Sequence, residues 1–272
     1  MKISFFCPRW GSENLDFEDF CNKVKQAGYD GVEMSLPCGD HKASDKILRV
    51  LRDGGLQFIA QHWETSDTDV GTHIHNMKER LAWLVSSEPL FINSQTGKDW
   101  FSFEQNKKIL EAATETAMST GVRILHETHR GKFAYSASVA KRFLESDKDL
   151  RISADFSHWC VVSESLLEDQ SEAMKLAISR TDHIHSRVGF AESPQVSDPR
   201  VPEWKQALDA HLAWWDAIVA AHRKAGDEHF TVTTEFGPFP YLPALPWTGM
   251  PVADQWGINL FMKDLLKERW GV

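Results

Sequence analysis

The chain has 272 residues, 42% hydrophobic and 25% charged, an ordinary globular composition with enough length for one large core. Its net charge of −9 works against a phosphate-backbone partner, because such binding rests largely on Lys and Arg releasing counterions, so no nucleic acid is expected. No run of about 18 apolar residues occurs and residues 1–13 lack a basic start followed by a long apolar stretch, so neither a membrane span nor a signal peptide is expected, and the reading is cytoplasmic.

Eight strand-like runs follow one another along the chain: ISFF, GVEMS, FIAQHW, LFINSQ, RILHETH, RISADFSH, DHIHSRVG and TVTTEFG. Between them lie helical patterns with apolar residues three and four apart, such as Phe17, Phe20, Val24 and Ala27, or Leu208, Leu212, Trp215 and Val219. Gly28, Gly54, Gly55, Gly121 and Gly226 stand where a helix would stop in a left-handed turn. Eight alternations of strand and helix predict an α/β fold, a single (β/α)8 TIM barrel that takes in residues 1–272 as one domain. Two connections are too long for simple turns, residues 189–204 after the seventh strand and 238–256 after the eighth. Both are expected over the mouth, the second stiffened by Pro238, Pro240, Pro243, Pro246 and Pro251 into a wall or a subunit contact.

The last four runs each carry a metal-ligating side chain near the C-terminal end: Glu127, Asp155, His185 and Glu235. In a barrel those ends meet at one mouth, so a single divalent ion would be within reach of all four. Three carboxylates and one imidazole are mostly hard oxygen donors, which suits Mn2+ first, with Mg2+, Co2+ or Zn2+ as alternatives. Cys7, Cys21, Cys38 and Cys160 are scattered without C-x-x-C spacing and read as reduced thiols outside any metal site. Strand alternation puts His129 on the face of Glu127 and Arg187 on the face of His185, while His126 should face the helices. His158 follows Asp155 by one turn, and His62 and Glu33 stand at strand ends where they could reach a substrate. Trp10, Trp63 and Trp159 follow strand ends too, and a flat aromatic face there can pack on the C–H face of a sugar. No G-x-S-x-G elbow, phosphate loop, dinucleotide fingerprint or H-E-x-x-H is present.

GYDGVEMS, LHETHRG, SADFSHW, HIHSRVG and TEFGP, in that order at strands two, five, six, seven and eight, resemble the xylose isomerase-like superfamily, and within it the sugar phosphate isomerase/epimerase group of ketose 3-epimerases. The resemblance implies that Glu127, Asp155, His185 and Glu235 hold the metal, that Glu127 and Glu235 also serve as the acid/base pair, that His158 lies beside the substrate and that Arg187 binds a substrate oxygen. It implies an isomerase or epimerase acting on a small sugar or polyol through an enediolate, in a group that is often dimeric or tetrameric. The epimerases carry a further substrate-binding glutamate after the fifth strand, and here that stretch, RGKFAYS, has no carboxylate. A keto-inositol dehydratase would use nearly the same metal site. The apurinic endonucleases of the superfamily add histidines after the seventh strand, and SDPRVPEW has none.

Overall fold

The computed structural model describes residues 1–272 as eight parallel strands closed into a barrel. In chain order they are β1 (Lys2–Pro8), β2 (Gly31–Met34), β3 (Gln57–His62), β4 (Ile92–Ser94), β5 (Ile124–Glu127), β6 (Ile152–Ala154), β7 (Thr181–His185) and β8 (His229–Thr233). The helices outside are α1 (Phe17–Gln26), α2 (His41–Gly54), α3 (Val70–Val85), α4 (Phe103–Thr120), α5 (Ala137–Ser146), α6 (Ser157–Ser163), α7 (Ser171–Ile178), α8 (Lys205–Ala225) and α9 (Gln255–Trp270). The predicted TIM barrel is thus the observed fold. Connection six holds two helices, and α6 opens on the SHW of SADFSHW with Phe156 as its N-cap.

Several helix starts are fixed by their own sequence: Asp16, Asp40, Asp69, Ser102, Ser136 and Asp254 each accept a backbone N–H of the first turn. Gly55, Gly121 and Gly226 close α2, α4 and α8 in the left-handed conformation expected of them. The main core fills the space between barrel and helices, with Phe5, Val32, Ala60 and Ile184 of the strands packed against Phe20, Leu81, Ile109 and Trp215 of the helices. Outward strand residues supply that core because successive side chains alternate between faces.

Inward residues fill the barrel in levels, as the fold requires. At the bottom Phe6, Ile59, Phe91 and Leu125 form a dry plug. At the next level Asn93, two residues beyond Phe91, meets Glu33 of β2, which with His183 of β7 is joined to Thr231 and Thr233 by hydrogen bonds. Above these stand Glu127, Asp155, His185 and Glu235. Apolar side chains thus give way to mostly polar ones above mid-barrel.

Candidate metal centre

Glu127 ends β5 and His185 ends β7, while Asp155 directly follows β6 and Glu235 is the second residue beyond β8. The structure brings one ligand atom of each within 4.8 Å of the others, all four residues being buried. His185 is turned so that Nδ1 lies 2.7 Å from Glu235 Oε2 while Nε2 lies 3.0 Å from Glu33 Oε1. The Nδ1 and Oε2 atoms are close but not aligned to share a proton, and both are buried without a hydrogen-bond partner. Two buried ligand-type atoms 2.7 Å apart with no hydrogen-bond partner are what a metal ion resolves, since buried polar groups are otherwise nearly always paired. The donor set fits as well: three carboxylates and an imidazole, with no sulfur.

Charge tells the same story. Burial, with the like charges of Glu235 and Asp155, pushes the Glu127 carboxyl up to about 8 against the pull of His185. Asp155 is raised by burial despite Arg187 beside it. Burial opposes the charged form of His185, yet the carboxylates of Glu235 and Glu33 outweigh it and hold its pKa well above the ordinary value. Without a cation the cluster keeps protons that a divalent ion would replace. Two other groupings of ligand type lie close by. In one of them Glu33 and His183 are satisfied by each other, by His185 Nε2 and by Thr231 and Thr233. The third combines Glu127 with His129 and His158, whose rings are held by the Arg130 carbonyl and by two guanidiniums.

Over the cluster opens a cavity of about 670 Å³, lined on one side by Trp10, Trp63, Met34 and Leu36 and on the other by Gln61, Gln95, Glu127, His129, Arg187, Glu235 and Tyr241. A second cavity, of about 770 Å³, lies at the opposite end of the barrel around Arg123, Asp182 and His229 and contains none of the cluster. Active sites of such barrels sit at the C-terminal face, so the first is the candidate. Arg187 is buried with its guanidinium on Asp155, 3.5 Å from Glu235 Oε2 and 2.8 Å from His158 Nε2, and its charge center is 4.8 Å from the Tyr241 ring center. Trp10 stands edge-on to Tyr241 at 5.0 Å and rests on Gly237, where a Cβ would come within 2.1 Å of the indole.

Of the residues singled out by sequence, Trp10, Trp63, His129 and Arg187 line this cavity beside Glu127 and Glu235. His158 lies just behind the wall, buried between Arg187 and Arg130. Glu33 was expected to reach substrate, but it sits one level beneath the cluster, fully enclosed and hydrogen-bonded to His185, Asn93 and Gln61. His62 was expected there too, but its neighbour Gln61 is the inward residue; both His62 ring nitrogens are taken, by Ser94 Oγ at 2.8 Å and Thr65 Oγ1 at 2.7 Å. Trp159 is fully buried against Phe156 and donates to the Ala134 carbonyl, so it packs a loop. His126 faces the helix layer and meets Thr96. Sequence reasoning passed over Gln61, Asn93, Gln95 and Tyr241. The three amides share the inward parity of β3 and β4, a signal that the strand pattern did contain.

No protein-family model matches the chain, and no curated protein does. Among solved structures, a D-allulose 3-epimerase from Methylomonas sp. aligns at 13% identity over 98% of this chain and 97% of its own, with a TM-score of 0.65. A xylose isomerase domain protein from Salmonella typhimurium gives 13%, 98% of each chain and 0.65. A probable 3-DHS dehydratase involved in petrobactin synthesis from Bacillus anthracis gives 16%, 98% and 99%, and 0.60. At such identities the likeness is one of fold, and it runs end to end. The chain therefore has the fold of the xylose isomerase-like TIM-barrel superfamily.

Proposed function

We propose that the protein is a divalent-metal-dependent isomerase or epimerase that moves a proton next to a carbonyl of a sugar or polyol. One observation carries this reading: of the four clustered groups, only Glu127 and Glu235 face the cavity, whereas Asp155 and His185 are enclosed by protein. Two carboxylates that share a centre and also touch the substrate space are placed for proton transfer. A purely structural metal site would have no reason to expose them. The D-allulose 3-epimerase of like fold supports the same class.

A divalent ion held by Glu127, Asp155, His185 and Glu235, Mn2+ being the first candidate, would polarise a carbonyl and its neighbouring hydroxyl and so acidify the C–H between them. One glutamate takes that proton as a carboxylate, the C–H electron pair passing into an enediolate, and the other, protonated, returns a proton. Return to the opposite face of the same carbon gives the epimer; return to the adjacent carbon gives the isomer. Arg187 donates to a substrate oxygen from a fixed position, because Ser157, His158 and Asp155 hold its guanidinium. Trp10 and Trp63 pack on the C–H face and keep water off the reacting carbon.

The test is solvent deuterium entering carbon when metal-loaded protein meets a panel of ketoses, aldoses and keto-inositols. Exchange is expected on at least one of them, and Glu235→Gln or Glu127→Gln should slow it by about 10²–10⁴, the usual cost of losing a general base. Exchange as fast as wild type in both variants would remove the glutamates from the chemistry. Net loss of water from the substrate would move the assignment to a lyase.

A further inference from the structure

The connection after β8 forms an arm ordered by its own backbone. Leu245 N–H donates to the Met250 carbonyl at 2.7 Å, Val252 N–H donates to the Pro243 carbonyl at 3.0 Å, and Ala244 and Pro251 pair as an antiparallel bridge. At the tip Gly249 N–H closes on the Leu245 carbonyl at 3.0 Å, and Trp247 takes the left-handed conformation with φ 69°, which a bulky side chain rarely adopts. Trp247 is fully exposed and Phe239 is 71% exposed. With Leu245, Met250 and Val252 they make five of the eleven exposed large hydrophobic side chains of the molecule, all within residues 239–252. No charged side chain occurs between Glu235 and Asp254. A rigid, uncharged and apolar projection of this kind marks an interaction surface.

Beside the base of the arm opens a groove of about 560 Å³ that none of the four cluster residues lines. Pro238, Phe239 and Pro251 of the arm form one wall, Leu15 of the β1–α1 connection and Trp256 of α9 the other, and Lys23 Nζ stands 3.8 Å from the Trp256 ring center. Its size is that of a pocket that seats a bulky apolar group, about 300–1,000 Å³. The tip residues Leu245, Trp247 and Met250 take no part in it. Trp10 lines both this groove and the cavity over the cluster.

We infer that the arm joins two copies of the chain about a two-fold axis, the tip of each seated in the groove of the other with Trp247 as anchor. A projection and a recess side by side on one chain are self-complementary, as a two-fold contact requires, because every contact is then made twice. The area suffices. An open aromatic side chain offers about 150–250 Å², so Trp247 and its neighbours together match the about 300–600 Å² of the largest patch usual on a monomer. Each copy covers its arm and its groove at once, which brings the contact near the about 800 Å² per partner of a standard interface. Charge selects the occupant: two chains of net charge −9 repel, and the uncharged arm is where they meet without opposed like charges. The same neutrality gives an acidic or basic partner nothing to pair with. A seated tip also backs Trp10, the wall shared with the cavity over the cluster.

Sedimentation velocity on the full chain, at concentrations up to about 100 µM, should show a dimer. Trp247→Ser, at a fully exposed position, should keep the wild-type Tm and weaken dimerisation by about 30-fold or more, as loss of a tryptophan anchor does. Asn14→Glu puts a charge on the exposed rim of the groove and should weaken it comparably, again at unchanged Tm. The two variants mixed in equal amounts should dimerise more tightly than either alone, since the intact tip of the Asn14→Glu chain meets the intact groove of the Trp247→Ser chain. Wild type that stays monomeric at about 100 µM overturns the inference. So does a dimer that both variants leave intact, or a mixture no tighter than its components. Co-sedimentation of monomeric wild type with phosphatidylcholine vesicles would give the arm to a lipid surface and overturn it as well. None of these outcomes bears on the isomerase reading, which deuterium exchange tests separately.

Discussion

Glu33 shows what one side chain can do without touching substrate. It accepts from Asn93 Nδ2 at 3.0 Å and Gln61 Nε2 at 3.1 Å, lies 3.0 Å from His185 Nε2 and takes the Thr233 hydroxyl. Burial opposes its charge, but His185 and His183 outweigh burial and keep it ionised, well below the usual carboxylate range. An ionised acceptor at Nε2 fixes the proton there and leaves Nδ1 as a lone pair turned to the cluster. Glu33→Gln should therefore weaken divalent-metal binding by about 10–100-fold in competition with a chromophoric chelator. Unchanged affinity would mean that Asn93 alone orients the ring. The strand-end position of Glu33 in the sequence suggested the mouth, yet a place in a strand-like run says nothing about height along the barrel axis. Height depends on the stagger between strands, which pairs Glu33 with Pro8 and Ile59 but sets Glu127 beside Ser153. His62 failed differently: the run FIAQHW offers no internal mark for which parity faces in.

At the scale of elements, the eight strands and most helices between them were legible because the strands are short runs rich in apolar residues and most helices carry a capping residue or a glycine stop. The interiors of the two long connections were not, since their order comes from side-chain bonds between segments distant in sequence. Gln195 of the β7–α8 connection donates to the Gly237 carbonyl at 3.0 Å and accepts the Gly237 N–H at 2.8 Å, a two-bond clasp on the connection after β8. Gln255 and Asn259 of α9 hold the adjoining Phe236 backbone. Trp10 lies on Gly237 and Tyr241 lies against Trp10, so the clasp also sets the cavity wall. Gln195→Leu keeps the volume but strands a buried N–H and a buried carbonyl, so it should cost about 1–3 kcal/mol in urea unfolding. It should also loosen ligand binding without lowering metal stoichiometry. A variant as stable as wild type would show that α9 alone secures this wall.

Across the whole molecule the dominant feature is an acidic chain that gathers several of its carboxylates in the barrel interior. Glu127 is held up to about 8 when the cluster has no cation, far above the value of about 4.3 for an unfolded glutamate. A carboxyl raised in this way stabilises the fold through its proton: the contribution is complete below about pH 4.3 and lost as pH rises through about 8. Asp155 and His185 are raised as well and act in the same direction. Glu33 and Glu235 are lowered, so their contribution is present at neutral pH and disappears only in acid, below the window concerned. The buried neutral histidines, among them His126, His129 and His158, weaken the fold below about pH 6.5, but they do so with or without metal. The difference between metal-loaded and chelated protein therefore isolates the cluster. Bound metal takes the place of the protons on Glu127 and its neighbours, so it should raise Tm more at about pH 8 than at about pH 5.5, with protons released on binding at the lower pH. Scanning calorimetry of the two forms across that range measures it. A metal-dependent shift in Tm that is flat with pH, or larger in acid, would place the ion on groups other than Glu127, Asp155, His185 and Glu235.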